Sequence, residues 1–399
     1  MTKAMAPLLI AAIVLFSAQQ LLTPVLAPLS RALRLTETQL GLVVTVAAAA
    51  LTVASPLWGH ALRVIGLRAV LVIGLGLSTA GLAGFAAVSA AGLDGALEPG
   101  TTFVLMLVAR SLVFGVGLAA VPVAALAVAG TVPEADRTRA TGLVGASQGL
   151  SLIVGPAGGG ALAVISLMVP LYVAPVLSAL LLIWVLATVR PARPPRVDGP
   201  RPAGVRPWQA NMWPLLATGF FLYLSLGLIQ VVVGFLVADR LGLDAQQTAG
   251  AVGIVLVTAG VVLVGVQAAV VPALGWPALR LMRAGAPVAL LSFVVLYIAH
   301  DLWLIAVAFG LLGLGLGLAV PGFTAAPSLV VGPDQQGSVS GLVNATVGAT
   351  FIAGPALGTF LYELSPEATI VGSLLSAVIA LGLVWLSPAA RHLRRPVIS

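Results

Sequence analysis

Cysteine is absent from the chain, which removes disulfides, thiolate metal sites and cysteine nucleophiles and leaves the redox compartment unspecified. Charge is scarce as well. Only 8% of the 399 residues are Asp, Glu, Lys or Arg, where a soluble globular domain carries roughly 25%. With 60% hydrophobic residues and a mean hydropathy of +1.14, the chain falls outside that soluble class. The signatures of soluble catalysis are missing too: there is no phosphate loop, no zinc-ligand spacing, and no Ser, His and Asp set that the topology could assemble. The chain therefore reads as a non-enzyme, with no cofactor and no metal. Its pI of about 11.0 invites a nucleic-acid reading, but the 19 Lys and Arg are scattered through short loops and form no basic face.

What the chain does contain is apolar runs of about 20 residues, each long enough to cross a hydrocarbon core of about 30 Å. Twelve are predicted, at 6–29, 39–61, 68–92, 101–129, 140–164, 167–189, 213–237, 246–270, 284–299, 302–330, 338–362 and 368–388; they are numbered here as spans 1 to 12. The first is too long for a signal-peptide core and is expected to be retained. Residues 190–212, rich in proline and arginine, read as a linker between bundles at 1–189 and 213–399. A duplication supports that division. Shifting the chain by 199 residues puts Gly142 on Gly341, Gly155-Pro156 on Gly354-Pro355, Gly159 on Gly358 and Pro122 on Pro321. The start of span 2, Thr36 with Gln39, is likewise echoed by Asp244 with Gln247 before span 8, each a helix-capping pattern.

Placing the N-terminus in the cytoplasm puts 15 of the 19 Lys and Arg inside, leaves Arg31, Arg34 and Arg240 outside, and sets Arg110 within span 4. Both termini and the linker are then cytoplasmic. The expected architecture is all-α, with twelve transmembrane helices in two pseudo-symmetric six-helix bundles.

Several of these residues resemble the major facilitator superfamily, over essentially the whole chain. The run Gly142 to Gly160, with Gly155-Pro156 and Gly159-Gly160, is similar to the antiporter motif in helix 5 of its drug and metabolite exporters, with Ser151 at one glycine position. Pro24 and Pro28 resemble the proline pair in helix 1 of twelve-helix drug:proton antiporters. Gly59 to Arg68 falls where the helix 2–3 loop signature belongs: Gly59, Gly66 and Arg68 fit, and Arg63 stands in place of the acidic residue. Arg110 to Gly115 resembles the helix 4 arginine signature of proton-linked members. The resemblance implies the major facilitator fold and a secondary transporter in the bacterial inner membrane, exporting a small apolar or anionic compound against protons by alternating access. It also implies a monomer whose partners are the lipid bilayer, a small-molecule substrate and protons. An uptake or facilitative carrier for a small metabolite or anion, and a non-transporting sensor or lipid-handling scaffold, stay open.

The candidate site residues follow from polarity in an apolar setting. An isolated guanidinium inside a span costs several kcal/mol, so Arg110 is expected to face a wet cavity, substrate or a partner. No carboxylate lies mid-span to pair with it. The amides Gln19, Gln20, Gln148, Gln230 and Asn344 should point inward, either to substrate or to other helices. In the family's arrangement spans 1, 4, 7 and 10 line the cavity, which favours Gln19 or Gln20, Arg110 and Gln230, with Tyr223 as an aromatic wall. The gating candidates are Gly59, Gly66, Arg68, Gly155, Pro156, Gly354 and Pro355. His60, Asp239 and Glu363, all near span ends, are the titratable candidates for proton coupling and are equally readable as solvated interface residues.

Overall fold

The computed structural model describes residues 5–130, 134–189, 205–209, 212–332 and 335–386. The linker at 190–212 thus lies largely outside the described residues. Every span forms helix, and no strand occurs among the described residues. Among the described residues, ten helical segments are long and apolar enough to cross a membrane. One of them, Glu37–Leu93, contains spans 2 and 3, joined through Gly66 with φ 81° and ψ 170°. Span 5 is the separate helix Glu134–Ala163. Splitting the first and adding the second agrees with twelve.

The helices begin and bend where local chemistry directs. Thr36 Oγ1 accepts from the Gln39 amide at 3.1 Å while Gln39 Oε1 accepts from the Thr36 amide at 2.9 Å. Asp244 and Gln247 repeat the reciprocal pair at 2.8 and 3.3 Å before Ala245–Gly265, so the duplicated capping pattern is physically duplicated. Span 1 is broken at Leu21 and Leu22, between Met5–Gln20 and Thr23–Ala32, with Pro24 entering the first turn of the second piece. Span 9 starts at Ala278, six residues before the apolar run at 284 suggests. Hydropathy marks where lipid begins, whereas Pro277, extended at φ −63° and ψ 152°, marks where the helix begins.

The backbone of Gly66 lies in a region open essentially to glycine alone. Gly66→Ala is expected to cost about 1–3 kcal/mol and to lower the thermal midpoint in detergent. Gly59→Ala, inside a helix and with no atom within 4 Å of the new methyl, should instead raise the midpoint slightly.

The contacts divide the chain into two compact units. The first contains Met1–Asp198 and Gly234–Val257, and the second contains Gly199–Val233 and Thr258–Ser399. In the first, span 1 packs on span 5, and span 4 packs on spans 2 and 3. Span 3 also meets span 6 through Thr79 Oγ1 and Ser178 Oγ, 2.9 Å apart. In the second, spans 9 and 10 form the most extensive pair, and span 9 also packs on span 12. Small residues set these approaches: at Gly117 a methyl would lie 2.6 Å from the Gly74 carbonyl oxygen, and at Gly315 it would lie 2.5 Å from the Ala289 nitrogen.

Candidate functional site

Arg110 lies in a π-helical stretch, Leu107–Val113, inside span 4. Such a stretch widens the helix by one residue and re-aims the side chains around it. Two contacts hold it. Ser111 Oγ donates to the Val43 carbonyl of span 2 at 2.6 Å, and Gly81 of span 3 lies so close that a methyl there would be 2.7 Å from the Ala109 carbonyl oxygen. Arg110 itself is only 5% exposed, and its guanidinium carbon stands 4.8 Å from the ring centre of Phe114. Its Nε has no hydrogen-bond partner, and among the described residues no carboxylate pairs with it. Two buried atoms of span 1 share this condition, Ser17 Oγ and the acceptor Gln19 Oε1. Buried polar groups are normally satisfied, so each of these atoms, like Ser373 Oγ in the second unit, is a place where a ligand or water would be bound.

Span 4 also borders an apolar cleft of about 520 Å³ with span 2, lined by Val46, Ala50, Ala54, Leu57, Trp58 and Val116 among others. The Trp58 indole is fixed there by its Nε1–H, which donates to the Val116 carbonyl at 2.8 Å. In the second unit Tyr223 stands edge-on to Phe323 and Phe351, with ring centres 6.0 and 6.3 Å away. Gln230 is half-buried in the same unit, and Asn344 is exposed. In the first unit Gln148 is half-buried, and Gln20 packs its Cβ under Gly155.

The two Gly-Pro copies make equivalent contacts, each inside its own unit. Gly155 lies against Ser17 and Gln20, and Gly159 sits directly over the Leu21 carbonyl where span 1 breaks. Gly354 lies against Gly227, and Gly358 sits over the Leu228 carbonyl of span 7. Gly160 adds a contact to span 8, where a methyl would lie 3.0 Å from the Gly253 Cα. Arg68 donates to the Leu186 carbonyl at 3.0 Å and so ties the start of span 3 to the end of span 6.

A sequence model of the Major Facilitator Superfamily matches residues 8–296. The chain belongs to this superfamily. It is 28% identical over 311 residues to the class C tetracycline resistance protein of Escherichia coli, covering 75% of this chain and 74% of that protein. The class B tetracycline resistance protein of Escherichia coli is 27% identical over 285 residues, covering 69% and 70%. The nucleoside transporter NupG superposes with a TM-score of 0.71 over 98% of this chain and 99% of its own, at 14% identity, a likeness of fold. The protein is therefore a membrane transporter of the major facilitator superfamily and not an enzyme, as the residues between Gly142 and Gly160 and their echo imply.

One contact among charged residues has no sequence signature. Arg31, at the end of span 1, donates through Nη1 and Nη2 to both oxygens of Asp239 at 2.5 and 2.9 Å, and through Nη2 to Glu37 at 3.2 Å. Its guanidinium also lies 5.0 Å from the centre of the Phe235 ring. Asp239 is thus brought to a basic partner 208 residues away. His60 is exposed, and Glu363 is exposed at the end of span 11.

Proposed function

We propose that this transporter is a proton-coupled exporter of small apolar or anionic compounds, working by alternating access between the six-helix bundles 1–189 and 213–399, with both termini cytoplasmic. The observation that carries the cargo assignment is Arg110: a buried cation with an unpartnered Nε and no carboxylate beside it offers an anion a charge-assisted hydrogen bond and offers a cationic drug nothing. The apolar cleft between spans 2 and 4 supports a largely hydrophobic cargo body. Gln19, Gln20 and Gln148 are the further proposed substrate contacts of the first unit, and Tyr223, Gln230 and Asn344 are those of the second. Export is supported by the two tetracycline resistance proteins among its relatives and by the Gly-Pro run of span 5.

In this reading Arg31, Asp239 and Glu37 form a latch at the outer end, tying span 1 to span 7 when the outer side is closed. Asp239 then becomes the leading coupling residue, since a proton arriving from outside neutralises the carboxylate that holds Arg31. His60 and Glu363, both exposed, are the further coupling candidates. Exposed ion pairs contribute roughly 0.2–1 kcal/mol, enough to bias a gate and too little to hold the fold. Asp239→Asn is therefore expected to leave the thermal midpoint within a degree or two and to increase outer-side labelling of a cysteine introduced into span 1. Unchanged labelling in Asp239→Asn would remove the latch. Exchanging the charges, Arg31→Asp with Asp239→Arg, should restore wild-type labelling.

Proteoliposome flux tests the coupling. An imposed inward proton gradient is expected to drive accumulation of an organic anion or neutral lipophile in the opposite sense. Flux that follows only the solute gradient would make the protein a facilitative carrier.

A further inference from the structure

Arg280 and Arg283 occupy the first turns of span 9, which the helix reaches because it starts at Ala278. Each guanidinium lies over an indole. Arg280 is 4.2 Å from the ring centre of Trp276, just before the helix, and Arg283 is 5.1 Å from that of Trp385, at the end of span 12. Arg283 also donates through Nε to the Val384 carbonyl at 3.4 Å, which joins both pairs to one end of the packed helices 9 and 12. All of these residues belong to the second compact unit. Stacking covers only a face of a guanidinium, so the edge of Arg280 presents its N–H groups in the fork geometry that matches a phosphate, with Arg283 adding a second positive charge beside it. Arg280 is exposed and, among the described residues, forms no ion pair.

The surface beyond these heads is aliphatic. The exposed face of span 9 runs on from Arg280 through Leu291, Val294 and Ile298, and that of span 12 runs from Trp385 back through Ile379 to Leu375. Charged donors at one end, indoles at the boundary and an apolar track of membrane depth reproduce the order of groups in a phospholipid. A free phosphate would use the first element and leave the other two without purpose.

We propose that Trp276, Arg280, Arg283 and Trp385 bind the headgroup of an anionic phospholipid, whose acyl chain lies along the exposed apolar faces of spans 9 and 12. The site requires the transmembrane fold alone. It is independent of cargo and direction, and in the orientation proposed above it faces the cytoplasmic leaflet.

The test uses the full chain in phosphatidylcholine nanodiscs that carry either brominated phosphatidylglycerol or an equal fraction of brominated phosphatidylcholine. The signal is the part of tryptophan quenching that Trp276→Phe with Trp385→Phe removes. Phosphatidylglycerol is expected to be preferred about five-fold or more, since each arginine near an anionic headgroup is worth roughly that factor. Arg280→Gln with Arg283→Gln should bring the preference to unity, with the thermal midpoint and elution profile showing that the variant is folded. Equal quenching by the two lipids in the wild type would overturn the site without any variant, as would a preference that survives in the double variant. Loss of the preference on adding excess inorganic phosphate would reassign the site to a soluble anion. The lipid bilayer in a nanodisc is symmetric, so a wrong membrane orientation leaves this result untouched. That orientation is read separately, by labelling a cysteine introduced into the linker of a chain that has none of its own.

Discussion

Alanine in place of Gly358 or Gly159 is expected to destabilise the protein by about 1–3 kcal/mol, the cost of forcing a group into a filled core. At Gly358 the added methyl would fall on the Leu228 carbonyl oxygen and lie 2.8 Å from its carbon; at Gly159 it would fall on the Leu21 carbonyl oxygen and lie 2.9 Å from its carbon. Both obstacles are backbone. A flexible side chain could swing away, but a helix that carries these carbonyls moves only by separating from its neighbour. The same substitution at Gly145 or Gly341 meets nothing within 4 Å and should stabilise, because alanine is the better helix former by about 1 kcal/mol. Opposite signs are thus expected from one chemical change within one motif. Thermal midpoints in detergent decide the matter, and a Gly358→Ala variant as stable as Gly341→Ala would contradict the close approach. Leucine at Gly155 or Gly354 should in addition abolish transport in whatever protein folds, because a methyl at Gly354 would already lie 2.7 Å from Gly227.

Methionine in place of Arg110 is expected to leave the fold intact and to lower transport of an anionic cargo by roughly 10- to 100-fold, the value of a hydrogen bond to a charged group. The two readouts separate the two roles. A structural arginine that held the π-helical stretch together would, when removed, leave polar groups unsatisfied and drop the thermal midpoint. A cation kept buried for its ligand costs desolvation in the empty protein, so an apolar residue of similar length is neutral or stabilising there. Arg110→Lys should recover little, since an ammonium lacks the planar fork and the stacking on Phe114 at 4.8 Å. Retained transport in Arg110→Met would move the cargo site away from span 4.

Much of this was legible beforehand because it is written in local chemistry. The capping pairs Thr36–Gln39 and Asp244–Gln247 are set by residues three apart, and both formed as their spacing requires. Gly66 matches a glycine of the helix 2–3 loop signature, and it carries the positive φ that joins the two spans. Arg110 announced itself as a lone charge in an apolar run. The helix of span 9 begins six residues before its apolar run, because hydropathy averages over a window and does not see Pro277, so only the structure shows Arg280 and Arg283 as helix residues.

The membrane class, the helical architecture, the duplication and the rarity of charge inside the spans can all be read from the amino-acid order alone. These follow from composition and from spacings of a few residues, and from the rule that a backbone in lipid must satisfy its own hydrogen bonds. Tertiary structure alone decided that Asp239 meets Arg31 across 208 residues, and that Gly159 and Gly358 lie over carbonyls of spans 1 and 7. It likewise decided that the arginines of span 9 stack on tryptophans from two parts of the chain. Helices in lipid are brought together by close packing and not by any pattern along one helix. Which two helices meet, and which side chains face each other there, is a property of the assembled bundle.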